Sequence, residues 1–246
     1  MTFISNKVGQ FTYFSQQLGR TDWSGKEVLD FGGNVGNILR DSNSTIDEAR
    51  YWCIDVSKEA IEAGRTCFPK AHWIVYDRYC FFFNPYGTPK LPLPRIAQTF
   101  DYIVAYSVFT NTPPSDMLEI VEELHQMLKP GGQFAFTFID PHHFSWPAEY
   151  QGDNLRWRLE REKGLHPDLE IDVEAITRNA KNASWFSLVN GTDLFIERED
   201  LPACRPGQQR TCHVFHTQEF IRKSFPSARV MPPVNSEMQH CCIITA

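Results

Sequence analysis

Along the chain, short apolar runs alternate with longer amphipathic ones. "EVLDF" (27–31), "YWCIDV" (51–56), "AHWIVYD" (71–77) and "FDYIVAYSVF" (100–109) read as buried strands. "SKEAIEAGRTCF" reads as a helix with Ser57 at its N-cap. "PSDMLEIVEELHQMLKPGG" reads as a capped helix with Met117, Val121, Leu124 and Leu128 on one face. Proline and glycine at 129–132 stop it. "QFAFTFID" (133–140) is a fifth strand. Near the end, "TQEFIRKSF" predicts a helix and "EMQHCCIITA" a last strand. Strands that alternate with helices predict a parallel sheet covered on both faces, hence a right-handed, doubly wound α/β fold.

Residues 141–212 break this rhythm. A connection of about 70 residues is too long for an ordinary loop. It predicts an inserted cap, rich in Trp, Phe and His. Because it leaves the sheet at the ligand-binding edge, it is expected to close an acceptor pocket.

Composition narrows the classes. The chain has 246 residues, 42% hydrophobic and 22% charged, as expected of an ordinary soluble protein. Its net charge of -6 offers no basic footprint for nucleic acid. No apolar run approaches the roughly 20 residues of a membrane helix, and the start lacks the order of a signal peptide. Seven cysteines without a CxxC pair suggest reduced thiols and a cytoplasmic location.

The candidate chemistry lies in "EVLDFGGNVGNIL" (27–39). Gly32, Gly33 and Gly36 directly follow the first strand, where open α/β sheets bind ligands. A dinucleotide fingerprint counted from Gly32 needs glycine at 34 and 37, and the chain has Asn34 and Asn37. Asp30 precedes the first glycine by two positions, and Asp55 ends the second strand. A carboxylate at Asp55 suits two vicinal ribose hydroxyls, and an acid beside the turn suits a cationic ligand better than a phosphate.

With these elements in order, the chain resembles the class I S-adenosylmethionine-dependent methyltransferases of small-molecule type. "VLDFGGNVG", "CIDVS", "FDYIVAYSVF" and "LKPGGQFAFTF" carry the likeness, over roughly residues 25–140. Asn34 stands where the family pattern usually has a glycine, and asparagine also enters the left-handed region. The resemblance implies a seven-stranded Rossmann-like sheet with a cap inserted between strands five and six. Residues 1–24 would cover the cofactor, 25–140 would form its core, 141–212 the substrate cap, and 213–246 the rest of the core sheet. It further implies S-adenosylmethionine as cofactor. Asp30, Gly32, Gly33, Asn34 and Gly36 would lie along its methionine part, Asp55 on the ribose and Val56 against the adenine. Asp77 and Arg78 would lie near the adenine amino group. Ala105, Tyr106 and Ser107 would form the floor, with Tyr13 and Phe14 folded over the site.

The acceptor is expected to be a small molecule, a secondary metabolite, methylated on O, N or C by a monomer or homodimer. His142 and His143 follow strand five on the ligand side and are the candidate bases. "CHVFHT" (212–217) tempts as a metal site, but strand phase turns His213 away from Cys212 and His216, so no metal is assigned. A cyclase or a non-catalytic adenosylmethionine-binding module on the same fold is the alternative.

Overall fold

The structure is a computed structural model that describes residues 9–20, 22–80, 83–84, 86–140, 185–189, 194–195, 213–234 and 239–246, with isolated positions between 160 and 174. The expectations placed on 141–159 and 196–212, including His142 and His143, lie outside the described residues.

Among the described residues, ten strands and five α-helices have bounds that can be given. They are α1 (Gln10–Leu18), β1 (Val28–Phe31), α2 (Asn37–Asp41), β2 (Tyr51–Asp55), α3 (Lys58–Cys67), β3 (His72–Val75), β4 (Phe100–Ala105), α4 (Pro114–His125), β5 (Leu128–Phe138), β6 (Trp185–Val189), β7 (Leu194–Phe195), β8 (His213–His216), α5 (Gln218–Ser224), β9 (Arg229–Met231) and β10 (His240–Thr245). Seven strands form the main sheet in the order β3-β2-β1-β4-β5-β10-β9. The first five are parallel, and β10 runs antiparallel to both β5 and β9. The sheet is therefore mixed rather than wholly parallel, and β9 is a strand that the sequence pattern did not predict.

Alternation along the strands divides the core into two layers. Leu29, Ile103, Phe134 and Phe136 face α4, through Met117, Val121 and Leu124, and α5, through Ile221. Val28, Tyr51, Cys53, Val104 and Ala135 face α1, α2 and α3, through Tyr13, Phe14, Ile38 and Ile61. Ser57 caps α3 as the sequence predicts, its hydroxyl accepting from the Ala60 N–H at 3.2 Å.

Helix α4 ends at His125, before the proline and glycines, and Leu128 starts β5 instead of extending the helical face. The segment Lys129–Gly132 is a bulge, with the β4 register shifting between Phe100↔Leu128 and Tyr102↔Gln133. Gly131 lies at φ 76 and donates to the Ala246 carbonyl at 3.0 Å. A Cβ at Gly132 would sit 2.8 Å from the Phe100 carbonyl oxygen. The stop signal is thus a strand irregularity that lets β5 run past the edge of β4.

β8 does not join the main sheet, although the sequence reading placed it there. It forms a second, antiparallel sheet in the order β7-β6-β8. Its Val214 N–H donates to Thr110 O at 2.6 Å and its His216 N–H to Ile139 O at 2.9 Å. Both acceptors lie just beyond the carboxyl ends of β4 and β5.

Gly36 shows why the turn after β1 cannot carry a side chain there. It lies at φ 81, and an added Cβ would approach Trp73 Cη2 at 2.9 Å. The Trp73 indole also covers Gly64 of α3 and donates to Phe68 O at 3.0 Å. Gly36→Ala combines left-handed strain with overpacking. It is expected to lower stability by about 2–4 kcal/mol in denaturant unfolding. Unchanged stability would show that Trp73 moves aside freely.

Candidate functional site

Period-2 geometry places Asp30 of β1 on the same face of the sheet as Tyr51, Cys53 and Asp55 of β2, with Asp30 and Cys53 in register. Asp30 is only 2% exposed. The Tyr51 hydroxyl donates to its Oδ2 at 2.7 Å. Burial pushes the Asp30 carboxyl up to about 7, against the lowering effect of that bond and with Asp55 adding a smaller upward push. Burial likewise raises the Tyr51 hydroxyl and the Cys53 thiol, so both stay neutral. Asp30 was expected along the methionine part of the cofactor. It lies beneath the turn, because strand phase directs it into the helix-covered layer.

The turn closes directly over this acid. A Cβ on Gly33 would lie 2.5 Å from Asp30 Oδ2 and 2.8 Å from Cys53 Sγ. Gly32 is at φ 74 and Asn34 at φ 55, so Asn34 takes the left-handed conformation that glycine usually supplies. Gly32 N–H donates to Ile54 O at 2.7 Å, which fastens the turn to the end of β2.

Asp55 grips the same turn from the side. Its Oδ2 accepts from the Asn34 N–H and its Oδ1 from the Ser57 N–H, each at 2.8 Å. Burial raises the Asp55 carboxyl, and the backbone donors oppose that rise. Each oxygen keeps acceptor capacity beyond these bonds. Neither Asp30 nor Asp55 has an ion-pair partner among the described residues, so the turn lies between two acids without a counter-charge.

The remaining predicted residues divide. Ala105 is buried at the end of β4. Tyr106 packs edge-on to Tyr13 and Phe14, with ring centroids 5.4 and 6.1 Å apart. Tyr13 and Phe14 are themselves fully buried, and the Tyr13 hydroxyl donates to Gln239 O at 3.0 Å. Ser107 is held at φ 58; its N–H donates to Thr137 Oγ1 at 2.7 Å and its hydroxyl accepts from Gln239 Nε2. Val56 is half-buried beside the other core layer. Asp77 is exposed and accepts from Asn84 Nδ2 at 3.0 Å. Arg78 is turned onto α4. Its buried guanidinium reaches Leu91 O and Glu119 Oε1, both at 2.9 Å, and Asp116 at 3.4 Å. Opposite charges on α4 draw it inward.

The arrangement at the end of the sheet can hold a cation-bearing nucleoside: a glycine turn, a strand-end carboxylate and a second acid beneath. Residues 29–134 match the family model described as a methyltransferase domain. That span covers most of β1 through most of β5, with Asp30, the glycine turn, Asp55 and Ser107, and leaves out Tyr13, Phe14 and Gln239. Residues 29–134 are a methyltransferase domain. The fold of the methyltransferase domain recurs in solved structures. An S-adenosylmethionine-dependent methyltransferase from Mesorhizobium loti is 13% identical, with 97% of this chain and 99% of that one covered at a TM-score of 0.53. The mitomycin 7-O-methyltransferase MmcR is also 13% identical, with 96% and 54% covered at a TM-score of 0.50. The chain spans about half the length of several solved structures that it matches, between 45% and 54%.

Sequence reasoning missed Tyr51, Trp73 and Gln239. The alternation Tyr51, Cys53, Asp55 carries a signal for the first, because every second residue of β2 is polar and faces the one acid of β1. Nothing local marks Trp73 or Gln239; Gln239 meets Ser107 across 132 positions. Among the described residues no group of His, Cys, Asp and Glu could hold a metal ion, and no helix is long and apolar enough to cross a membrane.

Asp30 couples the domain's stability to pH. Its unfolded value is 3.8 and its folded value about 7, so the folded state binds the extra proton. Its contribution is full below about pH 4 and is lost as pH rises through 7. Asp30→Asn keeps a partner for Tyr51 and removes this loss. The difference between variant and wild type should grow by something on the order of 3 kcal/mol from pH 4 to pH 8, read from denaturation curves. A constant difference would show that Asp30 does not change charge in that range.

Proposed function

We propose that the protein transfers a methyl group from S-adenosylmethionine to O, N or C of a small molecule, a secondary metabolite. The observation that supports this reading best is the grip of Asp55 on the glycine turn. One carboxylate fixes the turn through Asn34 and keeps acceptor capacity that two ribose hydroxyls would use. The cofactor supplies an activated methyl on a sulfonium. Methyl transfer then needs alignment and the exclusion of water more than acid–base chemistry. Asp55 would hold the ribose, Gly32, Gly33 and Asn34 would offer close backbone approach, and Val56 and Asp77 would border the adenine. Tyr106 and Ser107 would form the floor, with Tyr13 behind them.

The insertion 141–212 would cover the acceptor. β8, directly after it, is tied to Thr110 and Ile139 at the ligand end of the sheet. The net charge of -6 favours a small acceptor over a nucleic acid. His142 and His143, shortly after β5, are the bases this reading assigns. His142→Ala or His143→Ala should lower kcat about 10²- to 10⁴-fold with cofactor affinity intact; unaltered kcat in both would remove the role.

Calorimetric titration tests the cofactor side. S-adenosylmethionine and S-adenosylhomocysteine should bind and NAD should not; the reverse pattern would overturn the reading. Asp55→Ala should weaken cofactor binding by about 2–4 kcal/mol, or roughly 30- to 1000-fold. It should also cost about 1–2 kcal/mol of stability, because the Asn34 and Ser57 N–H groups lose their acceptor. A melted variant that still binds tightly would make Asp55 a cap alone. A screen of acceptor mixtures, read as a mass gain of one methylene, tests the acceptor side.

A further inference from the structure

The turn after β4 is held by a side chain that has an end to spare. Gln239, directly before β10, donates through Nε2 to the Ser107 hydroxyl, and its backbone carbonyl accepts from the Tyr13 hydroxyl at 3.0 Å. Its Oε1 is buried and has no hydrogen-bond partner among the described residues. The Ser107 hydroxyl can give or take a hydrogen bond. It therefore satisfies one end of the carboxamide whichever way that group is turned, and the other end is left over. Buried polar atoms are nearly always paired, so one left over is a place for the polar group of a ligand.

Strand order says which ligand. The sheet runs β3-β2-β1-β4-β5-β10. The adenine and ribose of the proposed cofactor lie over β3 and β2, and its methionine part over the turn after β1. Gln239 stands on the other side, past β4 and β5. β10 starts opposite Phe138, where β5 ends and the chain leaves for the insertion. Yet the carboxamide reaches the border of the cofactor, because its anchor Ser107 is next to Val108. A Cβ at Gly32 would lie 2.3 Å from Val108 Cγ2. A polar group placed there borders the methyl acceptor, not the adenosine.

We propose that Gln239 selects the methyl acceptor, by receiving on Oε1 the O–H or N–H of a hydroxyl or amino compound. The inference rests on the methyltransferase reading above and narrows its acceptor class. In the transfer, the acceptor's oxygen or nitrogen forms a bond to the methyl carbon. The electron pair of the broken carbon–sulfur bond goes to sulfur, and the acceptor's proton passes to a base. An amide oxygen is not that base, so Gln239 orients the acceptor and does not deprotonate it. A compound with no such hydrogen leaves Oε1 buried and unpaired, and is rejected for that reason.

Matched probes test this without the natural acceptor. Phenol and anisole, and aniline and N,N-dimethylaniline, differ within each pair in the hydrogen they can donate. Their rings suit the aromatic wall of Tyr13 and Tyr106. Each is titrated into the full chain saturated with S-adenosylhomocysteine, with binding read by ligand-observed NMR. The wild type should bind phenol and aniline about tenfold more tightly than their methylated partners. Gln239→Leu should lose that preference. Gln239→Glu keeps an acceptor oxygen while Ser107 turns to donate, so it should retain the preference. It also serves if the leucine variant does not fold. Affinity for S-adenosylhomocysteine should stay within about twofold in both variants. Equal binding within each pair by the wild type, or binding of no probe, would overturn the inference. So would a preference that survives in Gln239→Leu, or one lost in Gln239→Glu, which would mean that the amide meets its ligand through N–H. Weaker binding of S-adenosylhomocysteine in Gln239→Leu would place the residue on the cofactor and likewise overturn it. Failure of the wild type to bind S-adenosylhomocysteine would overturn the cofactor reading, and this inference with it.

Discussion

The ligand end of the sheet depends on the contact between Asp30 and Gly33. β1 and β2 are in parallel register, and the two-residue period of each strand stacks Asp30, Tyr51, Cys53 and Asp55 on one face. The acid rises from β1 into the space that a Cβ at Gly33 would need. Only a glycine can close the chain over it. Gly32, Asn34 and Gly36 then take left-handed conformations, which turn the chain sharply enough to start α2. Asp55 completes the unit from the adjacent strand by accepting the Asn34 N–H. One acid supports the turn from below and the other secures it from the side. The site is thus held by strand geometry instead of by a mobile loop.

The segment after β3 is fixed by a different force. Arg78 is buried against α4, bonded to Glu119 and near Asp116, with Lys90 joined to the same two carboxylates. Tyr76 and Arg78 both donate to Leu91 O, and Glu123 accepts from the Leu93 N–H at 2.7 Å. These bonds hold Arg78, Lys90 and Leu93 on α4, while the Tyr76 N–H, donating to Asp55 O at 2.9 Å, ties the end of β3 to the end of β2. Arg78 therefore serves by position. A guanidinium spans several acceptors at once, as a lysine would not.

Ser107 occupies the corresponding place at the end of β4. It is a non-glycine residue held at positive φ by Thr137, Thr110, Asn111 and Gln239. Such strain persists only where surrounding bonds over-determine it. The bonds come from the turn after β4, from β5 and from the entry to β10. The floor of the site is thereby tied to the antiparallel end of the sheet.

The alternation of apolar runs with capped helices determined much of this architecture by itself. β1 to β5, the Ser57 cap, the glycine turn and the acid that ends β2 were legible because each depends on local periodicity or local backbone need. So was the left-handed role of Asn34, which follows from the intrinsic conformational range of asparagine. Tertiary structure decided the rest. The direction of Asp30 came from pairing β1 with β2, which places its carboxyl beneath the turn. The fate of Arg78 was settled by acids on α4 about 40 positions away, beyond any local pattern. The antiparallel β10, the short β9 and the transfer of β8 to a second sheet followed from which edges were left to pair. The bulge at Lys129–Gly132 was written with the same residues that stop helices. Proline and glycine mark a break in backbone regularity, and only the neighbouring strand determines whether it ends a helix or bends a sheet.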